Sequence, residues 1–419
     1  MADHDILIIG AGLAGLACAL ELRDRGVEPL ILEAADGVGG RVRTDIQQGF
    51  RMDRGFQVLL EAYPECRRLL DYEALDLKPF FPGASIWTGK EFTRFVDPYR
   101  RPREAMATLA SPLGSFADKL RVTQLRKEVR KGKARDLLAG PDLPTRKDLE
   151  AMGFSPGMIQ GFFRPFFGGV LLDPELSDSS RIFRYIFRMF SEGDISVPAR
   201  GMGEIPGQLA GRLPAGCLRL GARVQSVDPG RVRLESGEEL TGDAVVVATE
   251  GPEASRLLQS LPAPGSKGAT CLYFRVPEPP VAGPTLVLNG TPKGPVNNLA
   301  VMSQVSSEYA PDGQHLLAAT VLGLPSGQMQ ALESQARSQL EEWFGQGVRE
   351  WEFLRGYAIP HAQPRQPPGV LEPAERPVAV EPGLFVCGDH RETASLQGAL
   401  HSGRRAAGAV LTLGEAGAG

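Results

Sequence analysis

The chain has 419 residues, 42% hydrophobic and 23% charged, which supplies a large core and excludes intrinsic disorder, collagen and coiled coil. Lys and Arg number 46 against 50 Asp and Glu, a net charge of −4 that points to no nucleic-acid partner. Five scattered cysteines (Cys18, Cys66, Cys217, Cys271 and Cys387) contain no C-x-x-C, so we expect no disulfide scaffold, no metal site and a reducing, cytoplasmic setting.

The apolar run from Ile6 to Leu20 follows the acidic start Met1-Ala2-Asp3-His4-Asp5 and is broken by three glycines. It is shorter than the ~20 residues of a membrane span and lacks the basic flank of a signal peptide. It reads instead as a strand over Asp5–Ile9, a glycine turn over Gly10–Gly15, and a helix from Leu16 that stops at Gly26. A second strand over Val27–Leu32 closes on Glu33. In such a unit Gly10 permits the sharp turn, Gly12 lets main chain approach a pyrophosphate, and Gly15 lets helix and strand pack closely. The helix N-terminus turns free N–H groups towards the phosphates, with Leu13 and Ala14 of the glycine turn as cofactor-binding candidates beside it. Glu33 ends the second strand, where a carboxylate accepts from ribose hydroxyls.

Gly39-Gly40-Arg41 and Thr44 follow Glu33, and with them the sequence resembles the flavin amine oxidase superfamily of amine oxidases, protoporphyrinogen oxidases and carotenoid desaturases. The resemblance implies FAD, with Arg41 on the pyrophosphate. Gly49–Gln57 is similar to a family strand beside the isoalloxazine ring, which makes Phe56 and Gln57 substrate-pocket candidates. Arg54 is either a substrate-facing cation or a solvent-facing strand residue.

Two later blocks resemble the same family. Gly201-Met202-Gly203 precedes an amphipathic stretch, and a strand from Ala222 to Val227 carries Val224, whose main chain the resemblance sets against adenine. Residues 231–240 read as a hairpin turning at Ser236-Gly237, and the strand from Asp243 leads to Ala248 and Thr249 at the cofactor. At the C-terminal end Gly388-Asp389 follows a strand, and Gly398-Ala399 opens a helix. The resemblance puts Asp389 on the ribityl chain and Leu396 beside the ring, with the helix start facing the flavin. No cysteine lies between Asp389 and Gly398 to tether flavin, so FAD is expected to be non-covalent.

The expected fold class is α/β. A discontinuous Rossmann-like FAD domain (1–60, 198–255 and 380–419) joins an α+β substrate domain with a mixed sheet and helices (61–197 and 256–379). Residues 60–197 read mainly as helix and loop. Strands are expected over Cys271–Val276, Thr285–Leu288, Leu299–Val305, Leu316–Leu322 and Trp351–Tyr357, with proline-rich connections in the 260s to 280s and over Pro360–Pro382. Arg181, Arg184 and Arg188 share one helical face among aromatics, the pattern of an interfacial helix or of a cavity-lining helix with one wet stripe, of which we favour the second. Residues 94–135 hold twelve Lys and Arg against four Asp and Glu, a charge that suits either an anionic lipid surface or a solvated helix over Lys119–Arg135.

Amine oxidation fits poorly. Ser395 stands where the family's amine-binding aromatic is expected, and Lys267 is out of register with the family's lysine. Tyr357-Ala358-Ile359-Pro360-His361 resembles a cavity-wall strand of desaturases and porphyrinogen oxidases. His361, His390 and Arg391 are candidates near the ring, and no catalytic residue is assigned. One glycine motif leaves no place for a second nucleotide, so electrons must pass to oxygen or a quinone. The leading expectation is hydride transfer from a small apolar substrate (polyene, isoprenoid or porphyrinogen-like) to FAD, with possible peripheral membrane contact and the oligomeric state left open. An amine oxidase with an atypical cage and a flavin-free escort protein are the alternatives.

Overall fold

The computed structural model describes residues 4–262 and 265–416; Met1–Asp3 lie outside it. Its central sheet has a parallel core, with antiparallel strands added at its edges. His4–Ile9 pairs with Pro29–Leu32 on one side and Glu239–Val247 on the other, and Leu218–Arg219 and Leu384–Val386 extend it. Leu7, Ile8, Val245, Val246 and Val247 are fully buried because both faces are covered, as continuous apolar strands require. On one face the helix Leu13–Arg23 packs against the C-terminal helix Leu396–Ala416. They approach so closely that a Cβ on Gly403 would lie 2.1 Å from the Ala14 carbonyl oxygen. On the other face a second cluster gathers Leu7, Leu30 and Val245 with Val224, Val232 and Leu257 of the hairpin and helix outside it. Three segments distant in sequence thus build one α/β layer, the class expected.

The second sheet is mixed and has seven strands. Its order is Glu352–Pro364, Ser266–Val276, His315–Leu322, Val296–Val301, Leu286–Asn289, Gly83–Trp87 and Phe92–Val96. Only the pairing of Leu286–Asn289 with Gly83–Trp87 is parallel. Three expectations need correction. Residues 60–197 are not only helix and loop, since Gly83–Trp87 and Phe92–Val96 form a hairpin around Gly89 (φ +96°). The strand expected to reach Val305 ends at Val301 and becomes the helix Met302–Val305. The strand expected to stop at Tyr357 runs through Pro360, which the sheet tolerates because the strand is at an edge and its register shifts opposite Gly268.

Buried Asp53 ties the layers together. Its carboxylate accepts from Thr44 Oγ1 (2.5 Å), the Met202 N–H (2.9 Å) and Tyr309 Oη (2.9 Å), and its carbonyl accepts from Tyr273 Oη (2.9 Å). Four parts of the chain meet there. Among the described residues no helix is long and apolar enough to cross a membrane, and no group of three or more His, Cys, Asp or Glu is placed to hold a metal ion.

Candidate functional site

A single cavity of about 920 Å³ runs from the C-terminal ends of the central strands, along the mixed sheet, to a mouth between helices. Its volume is near the top of the ~300–1,000 Å³ usual for ligand sites.

One end is a main-chain cradle. Gly10 leaves the first strand at φ +103°, and Gly39 at φ +108° bridges to Gly12, with its N–H on the Ala11 carbonyl at 2.8 Å. A Cβ on Gly12 would meet nothing within 4 Å, so this backbone is bare to the cavity at the start of an uncapped helix. Leu13, Ala14 and Gly40 line the same end. Gly15 does not line it: a Cβ there would lie 2.0 Å from the Gly10 carbonyl oxygen, so its place is the strand–helix contact. Glu33 is pinned by the Ala11 N–H (2.7 Å) and the Ala35 N–H (2.8 Å), with lone pairs left for ribose hydroxyls. Val224, Ala248 and Thr249 complete this end. Bare glycine main chain, an open helix start and an oriented carboxylate are the parts a dinucleotide needs, so the residues fit FAD.

Further along, Arg41 and Asp389, which the sequence placed on separate parts of the cofactor, are joined at 2.7 Å, and Arg41 also donates to the Ala362 carbonyl at 3.1 Å. Burial pushes the Asp389 carboxyl up, but the adjacent guanidinium outweighs it and holds the group below its ordinary range. Gly388, Leu396 and Ala399 line the cavity beside this pair. Gly398 does not, since a Cβ there would lie 1.9 Å from the Thr393 carbonyl oxygen.

Of the substrate-pocket candidates, Arg54, Phe56 and Gln57 line the cavity. Arg54 grips Asp45 with a two-nitrogen fork, so its charge is largely spent. The other three lie elsewhere. Tyr357 sits across from Cys271 in the sheet but does not reach the cavity wall, because its hydroxyl donates to Asp45 at 2.9 Å, the carboxylate that also holds Arg54. His361 borders a separate recess of about 10 Å³ beside Arg41 and Asp389. Arg391 donates outward to the Pro377 carbonyl at 2.7 Å. His390 is buried away from the cavity, and that burial lowers its pKa to about 4.

The far end is aromatic. Phe95 and Phe162 have ring centroids 4.5 Å apart, and Phe166 packs on Phe162 and Phe190 at 5.7 and 5.1 Å. A π-turn over Ile159–Phe163 sets Phe162 on the cavity wall while Phe163 is fully buried in the core. The arginine-marked helix, Ser180–Glu192, presents Ile186, Phe187 and Phe190 to the cavity. Its arginines form neither a wet stripe nor a membrane face. Arg181 and Arg188 are buried on main-chain carbonyls, and Arg184 forks onto Asp148 at 2.7 and 2.8 Å. Lys267 is also turned away, paired with Asp178 and the Leu171 carbonyl.

Sequence reading missed Tyr63. It lines the same cavity as Ser395, close enough for its hydroxyl to feel that side chain, so an aromatic stands near there after all, supplied by a different segment. Cys271 also lines the wall. Burial holds the Tyr63 hydroxyl far above its usual range and pushes the Cys271 thiol up to about 12, so neither is ionised near neutral pH.

The model of a family described as flavin containing amine oxidoreductase matches residues 13–411. Protoporphyrinogen oxidase 2 of Arabidopsis thaliana is 39% identical over 90 residues, covering 20% of this chain and 18% of that protein. A phytoene desaturase of Neurospora crassa is 34% identical over 100 residues, covering 22% and 17%. These matches therefore span less than a fifth of each relative's own length. Wild-type putrescine oxidase bound to putrescine has the same fold, with a TM-score of 0.72 at 17% identity over 98% of this chain and 99% of that one.

Proposed function

The chain belongs to the flavin containing amine oxidoreductase family, and from that premise we propose an FAD-dependent oxidoreductase that removes a hydride from a small apolar substrate of polyene, isoprenoid or porphyrinogen-like type. The reading rests on one cavity that joins a dinucleotide cradle to a wall of phenylalanines. We assign cofactor holding to residues 1–60, 198–255 and 380–419, and substrate holding to 61–197 and 256–379.

In this proposal the Gly12 main chain and the helix start at Leu13 hold phosphates, Glu33 holds ribose, and Val224 borders adenine. Arg41 and Asp389 fix the middle of the cofactor as a pair. Bound FAD supplies a two-electron acceptor for the hydride. Phe162, Phe166, Phe187 and Phe190 exclude water and align an apolar substrate by shape. Tyr63 and Cys271, held neutral, suit them to packing rather than proton abstraction. Lys267 is spent on Asp178 and does not line the cavity, so it offers nothing to an amine. Oxygen or a quinone takes the electrons onward.

Anaerobic mixing of the flavin-loaded protein with a polyene, a porphyrinogen and a polyamine tests this. Bleaching of the flavin bands by either of the first two is expected. Bleaching by the amine alone would replace the reading with amine oxidation.

A further inference from the structure

We propose that the cavity mouth docks on a bilayer rich in anionic lipid, through the face formed by the helices Ala105–Ala110 and Phe116–Val129. Tyr99, Met106, Leu109, Phe116 and Leu120 are 45% to 69% exposed and fall within one short stretch of chain. The other large apolar side chains exposed among the described residues, such as Ile46 and Leu220, are isolated in sequence. Scattered exposed apolar residues need no explanation, whereas a cluster marks an interaction surface. Four of the five also line the cavity. The apolar surface outside and the apolar wall inside are therefore continuous through Tyr99, Leu109, Phe116 and Leu120.

Charge selects the occupant. Residues 94–135 carry twelve Lys and Arg and four Asp and Glu. The acids are engaged: Asp97 with Arg126 at 3.0 Å, Glu104 with Arg94 at 3.1 Å, Glu128 with Gln124 at 3.1 Å, and Asp118 buried on Ser115 and Ser155. Arg101, Arg103, Lys127 and Lys131 stand exposed beside the apolar cluster. Exposed apolar side chains with exposed cations in the same stretch of chain match the acyl boundary and phosphate headgroups of an anionic leaflet. Lys119 braces the face, donating to the Leu109 and Ser111 carbonyls at 3.0 and 2.7 Å. An apolar substrate dissolved in that leaflet would reach the phenylalanine wall without crossing water. The inference rests on the apolar-substrate reading of the cavity.

The test is co-sedimentation of the flavin-loaded full chain with vesicles of equal parts phosphatidylcholine and phosphatidylglycerol. Binding is expected, together with weaker binding at high salt. Replacing both Phe116→Ser and Leu120→Ser should weaken binding at least about tenfold. Arg101→Gln and Arg103→Gln should each weaken it roughly fivefold. An unchanged flavin spectrum in each variant shows that the fold is intact. Absence of binding, or variants that bind like the parent, would overturn the proposal. So would a dimer in solution that Phe116→Ser dissolves, because a second copy would then be the occupant. Vesicle binding without oxidation of any apolar substrate would leave docking standing and remove the substrate reading. Oxidation in detergent without vesicle binding would do the reverse.

Discussion

The two ends of the cavity are built from different parts of the polypeptide. At the cradle the wall is main chain, and Gly10, Gly39 and Gly40 adopt φ of +103°, +108° and +59° to make it. At the far end the wall is side chain, with phenylalanine rings 4.5 to 5.9 Å apart between centroids. A main-chain wall dictates residue identity one position at a time, because a single Cβ changes its shape. A side-chain wall dictates volume and polarity, which many sequences satisfy.

The sharpest way to break that contrast is at Gly15 and Gly12. Gly15→Ala forces a Cβ to 2.0 Å from the Gly10 carbonyl oxygen, and should cost roughly 3 kcal/mol or more in a thermal melt. Gly12→Ala adds a Cβ that meets nothing within 4 Å in the protein alone and should leave the apoprotein melt nearly unchanged. It should nevertheless weaken FAD binding by about 10–100-fold, the worth of one or two charge-assisted hydrogen bonds. Equal melts for the two variants would end the distinction between packing glycine and cofactor glycine.

Asp53 lies at the joint between the two constructions. Burial pushes its pKa up to about 6, against the hydrogen bonds from Thr44, Met202 and Tyr309. The folded value exceeds the unfolded one of about 4, so stability from this group is fully present below that pH and lost as pH rises through 6. The loss is roughly 2–3 kcal/mol. Melts from pH 4 to pH 8 should fall more steeply for the parent than for Asp53→Asn, whose amide carries no charge to desolvate. Parallel curves would contradict this.

The smallest effect is expected at the aromatic end. Phe166→Leu keeps an apolar wall and should cost only about 1 kcal/mol. It should shift KM for an apolar substrate more than it shifts the melt. A collapse of stability would show that this wall, too, is fixed position by position.

The same contrast explains what was legible in the sequence. Gly10, Gly12, Glu33, Gly39 and Arg41 could be placed because their roles depend on local main-chain geometry over a few dozen residues, and all of them line the cavity. Gly15 is the strand–helix packing glycine that its spacing suggested, whereas Gly398, expected at the flavin, serves packing behind the wall. Tyr357, His361 and Arg391 stand outside the cavity because each is claimed by a partner or recess that only tertiary packing supplies: Asp45 for Tyr357, the small recess beside Arg41 for His361, and the Pro377 carbonyl for Arg391. Tyr63 and Phe95 went unnoticed because only tertiary packing brings them to Ser395 and Phe162. The arginines of the helix Ser180–Glu192 were seen as a stripe, but the groups that bury them lie 36 to 191 residues away.

The most direct measurement is the visible absorption spectrum of the purified protein, before and after denaturation. Flavin bands that pass into the filtrate on unfolding are predicted. A colourless protein that also fails to take up added FAD would contradict the account at its centre.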